Sequence, residues 1–525
     1  MRVAIIGNGP VGQTTALLLA HWGVPVVLLD DRAERNAEGS KAICQQGDVL
    51  DIWDRVGAGR AIAAEGVTWT CARTYYRERE LFAYTPGRSD ALFPPFVNIS
   101  QARTEQILDD RIAASPLIDV RWNSRVTGIA QDEGGVMIAG PDLRVDYAVA
   151  CAGVHGEPVR RMLGVGFAGH SFADQFLICD IKTELPGWAD ERRFYFDPPW
   201  NPGRQVLIHP CPDSTFRIDW QVPGDFDPCT DALDTRIRAV IGDRPYQVEW
   251  QSVYRFQSKV ADRMRVGRVL LAGDCAHLYS PFGARGLNSG VADAENAAWK
   301  LAYVLRGWAG PDLLESYHAE RHAAALENLA VTTATMDFLV PQTAAQHARR
   351  LAVLAGAADD PVLRAQVDSG RLAEPFWYAD SPLTTPDTAR PFTGRPPRGA
   401  VPPPAPGTLV PDIPVPPVPA VPAVPAVPAV RVPGGPVPAD PGGPVSGGAR
   451  LRAVARAGFV LLGACASDLD LVTPLPMDDR LRQALAARPG ELWLIRPDAH
   501  VAAVLTHSSQ VPAALRRCLG FSPTC

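Results

Sequence analysis

The chain has 525 residues, enough for two or three domains and a sizeable core, with 46% apolar and 21% charged residues. A net charge of -6 excludes the basic surface of a general nucleic-acid binder, and no uninterrupted apolar run reaches the ~18 residues of a membrane span. Ten cysteines without one CxxC pair read as reduced, mostly buried thiols, which points to the cytoplasm.

The opening stretch superficially resembles a signal peptide, but Gly7-Asn8-Gly9-Pro10 interrupts its apolar run. "VAIIG" is a short β-branched strand, "GQTTALLLAHWG" has helical spacing and stops at Gly23, and "VPVVLLD" is a second buried strand. Together they make a βαβ unit, hence a parallel sheet with a right-handed crossover. Gly7, Gly9 and Gly12 form a GxGxxG turn that follows a strand and opens a helix. The first glycine permits the tight turn, the second admits a pyrophosphate to the backbone, and the third lets helix and strand pack closely. The helix N-terminus adds unpaired N–H groups and a positive dipole end. Asp30 closes the second strand, where an acid accepts from ribose hydroxyls; that favours FAD or NAD over NADP.

Between Gly166 and Gln257, short alternating or aromatic segments such as "RRFYFDPP" and "TFRIDWQVPG" are cut by Pro and Gly, and predict an antiparallel sheet in a separate lobe. "LLAGDCAHLYSPFGARGLNSG" then repeats the strand–turn–helix pattern at Leu270 to Gly290. Gly273–Asp274 falls at the C-terminal end of a predicted strand, where open α/β sheets bind ligands. The bare loop behind it presents backbone and a helix N-terminus. An isoalloxazine ring suits that position, because its reduced form carries negative charge that a helix N-terminus stabilises. NAD has no comparable need for a second loop.

Helical spacing resumes from Leu287 to about Leu339. Residues 341–400 read as a helical connector. The C-terminal domain starts within 401–449, where a proline tract over 415–448 favours an extended, semi-rigid insert; recruitment of a proline-binding partner is an alternative use. Over 450–525, "AGFVLLGA", "ELWLIRP" and "HVAAVL" read as strands and "VPAALRRCL" as a closing helix, making a small α/β domain.

With both turns in view, the chain resembles the class A FAD-dependent aromatic monooxygenases, the family of para-hydroxybenzoate, phenol and 3-(3-hydroxyphenyl)propionate hydroxylases. The matching residues are Gly7 to Gly12, Asp30, "SKAI" from Ser40, "SQARTEQIL" from Ser100, "RVLLAGDCAHLYSPFGARGLNSGVADAENAAWKLA" and "SYHAER" from Ser316, within roughly Met1 to Ala334. The resemblance implies a Rossmann-type α/β FAD-binding domain within residues 1–340, interleaved with an antiparallel-sheet substrate domain over about 70–95 and 165–258. The tail resembles a thioredoxin-like C-terminal domain, which without CxxC has no dithiol chemistry.

The resemblance also implies roles. Gly7, Gly9, Pro10, Val11 and Gly12 would form the phosphate turn and Asp30 would hold the adenosine ribose. Lys41 and Gln101 would contact FAD, and Gly273 and Asp274 would take the ribityl chain. Pro281, Gly283, Gly286, Leu287 and Asn288 would line the ring. NAD(P)H would be the co-substrate, and O2 would hydroxylate a small phenolic or polyketide-like ring through a flavin C4a-hydroperoxide. A dehydrogenase, halogenase or Baeyer–Villiger oxygenase on the same scaffold is the alternative, and a homodimer is one assembly open to it. Two departures stand out. Cys151-Ala152-Gly153 replaces the family's Cys-Asp-Gly, and Arg285 stands in a loop that is commonly Gly-Gly-Gln-Gly.

Arg285 between two loop glycines reads as a ring or substrate contact, against a surface charge. Tyr254 and Arg255, on the strand approaching the loop, divide evenly between substrate contact and core packing. His277 reads as a packed, hydrogen-bonded histidine. No histidine has metal-ligand spacing.

Overall fold

Val3–Ile6, Val26–Leu29, Tyr147–Ala150 and Val269–Leu271 are runs of apolar residues buried along their whole length, as strands covered on both faces must be. In the computed structural model they form one parallel sheet in the order Val269–Leu271, Tyr147–Ala150, Val3–Ile6, Val26–Leu29, Ile118–Arg121, with Arg265–Val266 folded back antiparallel at one edge. The structure describes every residue except 1, 36–41, 86, 88–89, 230–231, 393–402, 417–448, 465–468 and 522–525. Lys41 and nearly all of the proline tract therefore lie outside the described residues.

The register aligns Ile6 with Leu29 and Ala150, and Ala150 with Leu271. Gly7, Asp30, Cys151 and Ala272 consequently leave the sheet side by side at its C-terminal edge. The two glycine-rich turns are separated by one intervening strand, or ~10 Å at the usual strand spacing.

The second sheet has eight strands, in the order His277–Leu278, Gln247–Ala261, Phe167–Lys182, Thr215–Val222, Gln205–Cys211, Glu191–Phe196, Cys71–Tyr76, Arg79–Tyr84. It differs from the expected antiparallel lobe in two respects. Glu191–Phe196 pairs with Cys71–Tyr76 in parallel, because these strands come from distant segments that no hairpin constrains. The cofactor loop also donates a strand of its own, His277–Leu278, which pairs with Val260 and Lys259. The outer face of the sheet is covered by the helix Leu233–Ile241 against Ile218 and Trp220. Phe176, Phe194, Phe196, Leu207 and Phe256 on the inner face pack on Phe282 of the cofactor loop and on Met336 and Leu339 of the helix Glu315–Leu339.

Among the described residues of the expected connector over 341–400, Ala344–Gly356 and Pro361–Arg364 are helical and the rest run as turns and irregular chain, where Pro375, Pro382, Pro386 and Pro391 deny helix hydrogen bonds. The C-terminal sheet holds the three expected strands, at Phe459–Leu462, Leu492–Ile495 and Val501–Leu505, plus an unforeseen fourth, Val472–Leu475. Its Pro474 is tolerated because the strand lies at the sheet edge. Phe459 meets Trp299 and Tyr303 edge-on, with centroids at 6.2 and 5.8 Å, so this domain and the helix Arg285–Leu305 share one core. Burying one such ring contributes about 1.5–3 kcal/mol.

Candidate cofactor and substrate site

The first turn is shaped by close backbone approach. A Cβ on Gly7 would stand 2.3 Å from the Cys151 carbonyl oxygen, and one on Gly12 would stand 1.9 Å from the Gly7 carbonyl oxygen. Gly9 differs, because a Cβ there would meet no protein atom within 4 Å. A glycine that the protein itself does not require leaves the main chain open to a phosphate. Pro10 starts the helix Pro10–His21, in which its missing N–H costs nothing. Val11 reaches across to the second turn. Its Cγ2 would lie 3.0 Å from a Cβ on Gly273 and 2.5 Å from one on Gly290, so the two motifs touch through one valine.

Asp30 accepts from the Asn8 amide at 2.8 Å and from Arg32 Nε and Nη2 at 2.8 and 3.0 Å. Burial pushes its carboxyl up, but the Arg32 guanidinium and these amides outweigh that and hold it below its usual range. Arg32, absent from the sequence expectation, thus engages the acid assigned to the ribose. Arg35 was missed as well. It donates to the Asn8 carbonyl at 3.0 Å and to Glu105 at 2.7 Å, and pairs with Asp109, tying the turn to the helix Gln101–Ala113. The run "DDRAER" directly after the strand was the available signal. Gln101 opens that helix; it accepts from the Ala42 amide at 3.1 Å and donates to Glu105 at 2.8 Å.

At the second turn, Gly273–Cys275 is a single tight 3-10 turn, and Asp274 at its centre is half-buried. Asp293 holds this turn from behind. It accepts from the Gly273 amide at 2.9 Å, faces His277 Nε2 at 2.7 Å, and accepts from Arg321 Nε at 2.7 Å. Burial raises the Asp293 carboxyl, yet His277 and Arg321 overcome it and bring it down to about 2. His277 is the packed histidine expected, fully buried and stacked on Tyr279. Arg321 continues to the Tyr378 hydroxyl at 3.0 Å. Asn296 bridges Tyr378 to Glu320, which also accepts from Lys300 at 2.6 Å and from Arg496 of the C-terminal domain. None of Asp293, Arg321, Tyr378 or Arg496 was legible as part of this chain of contacts.

Pro281 and Gly283 form the loop, and the Gly283 carbonyl accepts from the Ala373 amide at 2.8 Å, so residues 371–373 lie against it. Gly286, Leu287 and Asn288 form the first turn of the helix Arg285–Leu305; a Cβ on Gly286 would sit 3.9 Å from Asp274 Oδ1. Asn288 accepts from the Gln46 amide at 3.0 Å and donates to the Cys44 carbonyl at 2.9 Å, pairing with Cys44–Gln46 like another strand. Arg285 is no surface charge. It is 4% exposed and donates to Asn328 Oδ1 at 2.6 Å and to the Arg371 carbonyl at 3.1 Å. At the departure from Cys-Asp-Gly, Arg160 is the nearby cation, donating to the Cys275 carbonyl at 3.0 Å.

Tyr254 and Arg255 do not share a site. Neighbours on a strand face opposite ways. Tyr254 joins the inner aromatic face with Phe256, whereas Arg255 is exposed on the outer side and donates to the Gly224 carbonyl at 3.0 Å.

The residues fit a flavin dinucleotide. Gly9 is open to approach, and Asn8 Nδ2 and both amide atoms of Gln45 are buried without a partner among the described residues. These are the polar groups a ligand lying between the two turns would meet.

Comparison with known proteins agrees with this geometry. Rifampicin monooxygenase from Streptomyces venezuelae is 30% identical over 368 residues, covering 66% of this chain and 74% of that protein. The 3-(3-hydroxy-phenyl)propionate/3-hydroxycinnamic acid hydroxylase of Paraburkholderia xenovorans is 30% identical over 353 residues, 65% of this chain; the match spans only 56% of that relative's length. The crystal structure of the flavin-dependent monooxygenase PieE with FAD and substrate shares the fold over 99% of both chains, at a TM-score of 0.78 and 21% identity. Residues 1–332 match the FAD binding domain family, and the chain belongs to that family.

Proposed function

We propose that this chain is an FAD-dependent monooxygenase that hydroxylates a phenolic or polyketide-like aromatic ring with NAD(P)H and O2. The observation that carries this reading is the contact of the two glycine turns through Val11, Gly273 and Gly290, which makes one continuous cradle at the edge of the parallel sheet. In it, Gly7 to Gly12 and the helix N-terminus take the pyrophosphate. Asp30 takes the ribose, with Arg32 yielding one of its contacts. Gln101 and Asp274 flank the linker, and Pro281 to Asn288 face the ring. Arg285 braces the loop against residues 371–372 from its place beside the ring. Bound FAD would supply the reducing and oxygen-activating chemistry; the protein orients the ring, sets the field and excludes water.

Domain limits follow the same reading. The interleaved lobe would cover the ring, and the tail after residue 450 would be a redox-silent, thioredoxin-like brace. All eight described cysteines are unpaired thiols, which suits a cytoplasmic enzyme, and no described helix is long and apolar enough to cross a membrane. The test is direct. Purified protein is expected to release FAD on denaturation and to oxidise NAD(P)H faster when a phenol is present, with one oxygen atom of labelled O2 in the product. Protein that takes up no flavin, or product that carries no label, ends this reading.

A further inference from the structure

The inner face of the eight-stranded sheet carries a polar patch that the cofactor cradle leaves unused. Residues two apart on a strand share a face. Arg217, Asp219 and Gln221 therefore point inward, while Phe216, Ile218 and Trp220 fill the outer core. Across the sheet, Asp219 is flanked by Leu207 and Ile178, with Phe194 on the strand beyond Leu207. His209 pairs across from Arg217, and Arg217 from Asp180. This is the face that Phe282 of the cofactor loop touches, at 5.4 Å from Phe176 and 6.3 Å from Phe194.

The charges on this face are unevenly satisfied. Asp180 uses both oxygens on Arg217, at 2.8 and 2.9 Å. Arg192 donates to the Ser369 carbonyl at 3.1 Å. Asp219 Oδ1 and His209 Nδ1 are buried with no partner among the described residues. A buried polar atom without a partner is costly and is kept where something else supplies the other half of the bond. Burial pushes the Asp219 carboxyl up to about 7; Arg217 and Arg192 pull it down, and Asp180 adds to the rise. Burial, with Arg192 and Arg217, keeps His209 well below its usual value and hence neutral. Cys211 is neutral too, its thiol pushed up to about 12 by burial. Trp250 and Ser252, on the strand beyond, bring no charge.

We propose that Asp219 and His209 form the substrate-recognition subsite, with Asp219 Oδ1 accepting a hydrogen bond from a hydroxyl of a neutral polyphenol and His209 Nδ1 pairing with a second oxygen substituent. The inference rests on the hydroxylase reading and narrows its substrate class. The two arginines here are already engaged by Asp180 and Ser369, and Asp219 itself repels an anion, so a phenol bearing a carboxylate is disfavoured.

The test uses the FAD-loaded protein and two probes, 1,5-dihydroxynaphthalene and 3-(3-hydroxyphenyl)propionate, with binding read from the flavin absorbance change. The diol is expected to bind wild type at least tenfold more tightly than the propionate. Its affinity is expected to fall at least threefold from pH 8 to pH 6, as Asp219 gains a proton and loses acceptor strength. Asp219→Asn and Asp219→Leu should each retain FAD, weaken the diol about tenfold and abolish that pH dependence. Unchanged diol affinity in both variants, tighter binding of the propionate, or no binding of the diol to wild-type holoenzyme overturns the proposal. Failure of the hydroxylase reading looks different: the wild-type protein would then hold no flavin, or would release a product without labelled oxygen whatever the affinity for the diol.

Discussion

Asp293 is wholly buried behind the cofactor turn and Asp219 is half-buried on the inner face of the lobe, and their environments drive them in opposite directions. Asp293 serves the Gly273 amide, His277 and Arg321, and its carboxyl falls to about 2. Asp219 leaves one oxygen unmatched, and its carboxyl climbs to about 7. Burial opposes the charge in both cases; the number of partners decides the outcome. A saturated acid fixes a backbone turn in place, whereas an unsaturated one waits for a donor from outside. The first behaves as scaffold and the second as receptor.

The sharpest way to break this contrast is to remove the saturated member. Asp293→Leu strands Arg321 and His277 in the interior, and deleting one partner of a buried pair costs about 3–5 kcal/mol. Denaturant titration should show that loss, together with FAD release. The wild-type contribution of Asp293 is present above about pH 4, the unfolded value, and is lost as pH falls toward 2. Gly290→Ala should cost about 1–3 kcal/mol by driving a methyl into Val11. The double variant with Val11→Ala should recover most of that loss; no recovery means the two turns are not coupled through this contact.

The unsaturated acid should respond with the opposite sign. Its folded value lies above the unfolded one, so its burden grows as pH rises from about 4 to 7 and is full above that. Asp219→Asn should therefore stabilise the protein by about 1–2 kcal/mol at pH 8 and by roughly a third of that at pH 5, checked by thermal melts at both. Equal effects at the two pH values would erase the distinction between the two aspartates. The smallest effect concerns the loop itself. Ala284 precedes the helix with φ at 55°, a left-handed conformation that costs a side chain about 1 kcal/mol. Ala284→Gly should raise stability by about 0.5–1 kcal/mol in a melt.

What the chain discloses before folding divides along similar lines. Contiguous signals were readable: both glycine turns, the strand that ends at Asp30, and the packed state of His277. The parity of a strand also separates Tyr254 from Arg255, a distinction the sequence reading left unused. Long-range partnerships were not readable. Asp293, Arg321 and Tyr378 lie on separate segments, and only the packed fold reveals that one hydrogen-bonded path joins them. The direction of Arg285 likewise depends on Asn328 and on residues 371–372, which no local pattern announces. The strand Val472–Leu475 accommodates Pro474 because it lies at the sheet edge, and edge position is a property of the finished sheet.

His277 and Leu278 belong at once to the cofactor loop and, through Val260 and Lys259, to the margin of the lobe. Anyone grafting a lobe from a relative onto this framework must therefore preserve the pairing of Lys259 and Val260 with Leu278 and His277. A junction that slips the register by one residue would break the bond from the Ala261 amide to the Ala276 carbonyl and part the transplanted wall from the cofactor loop.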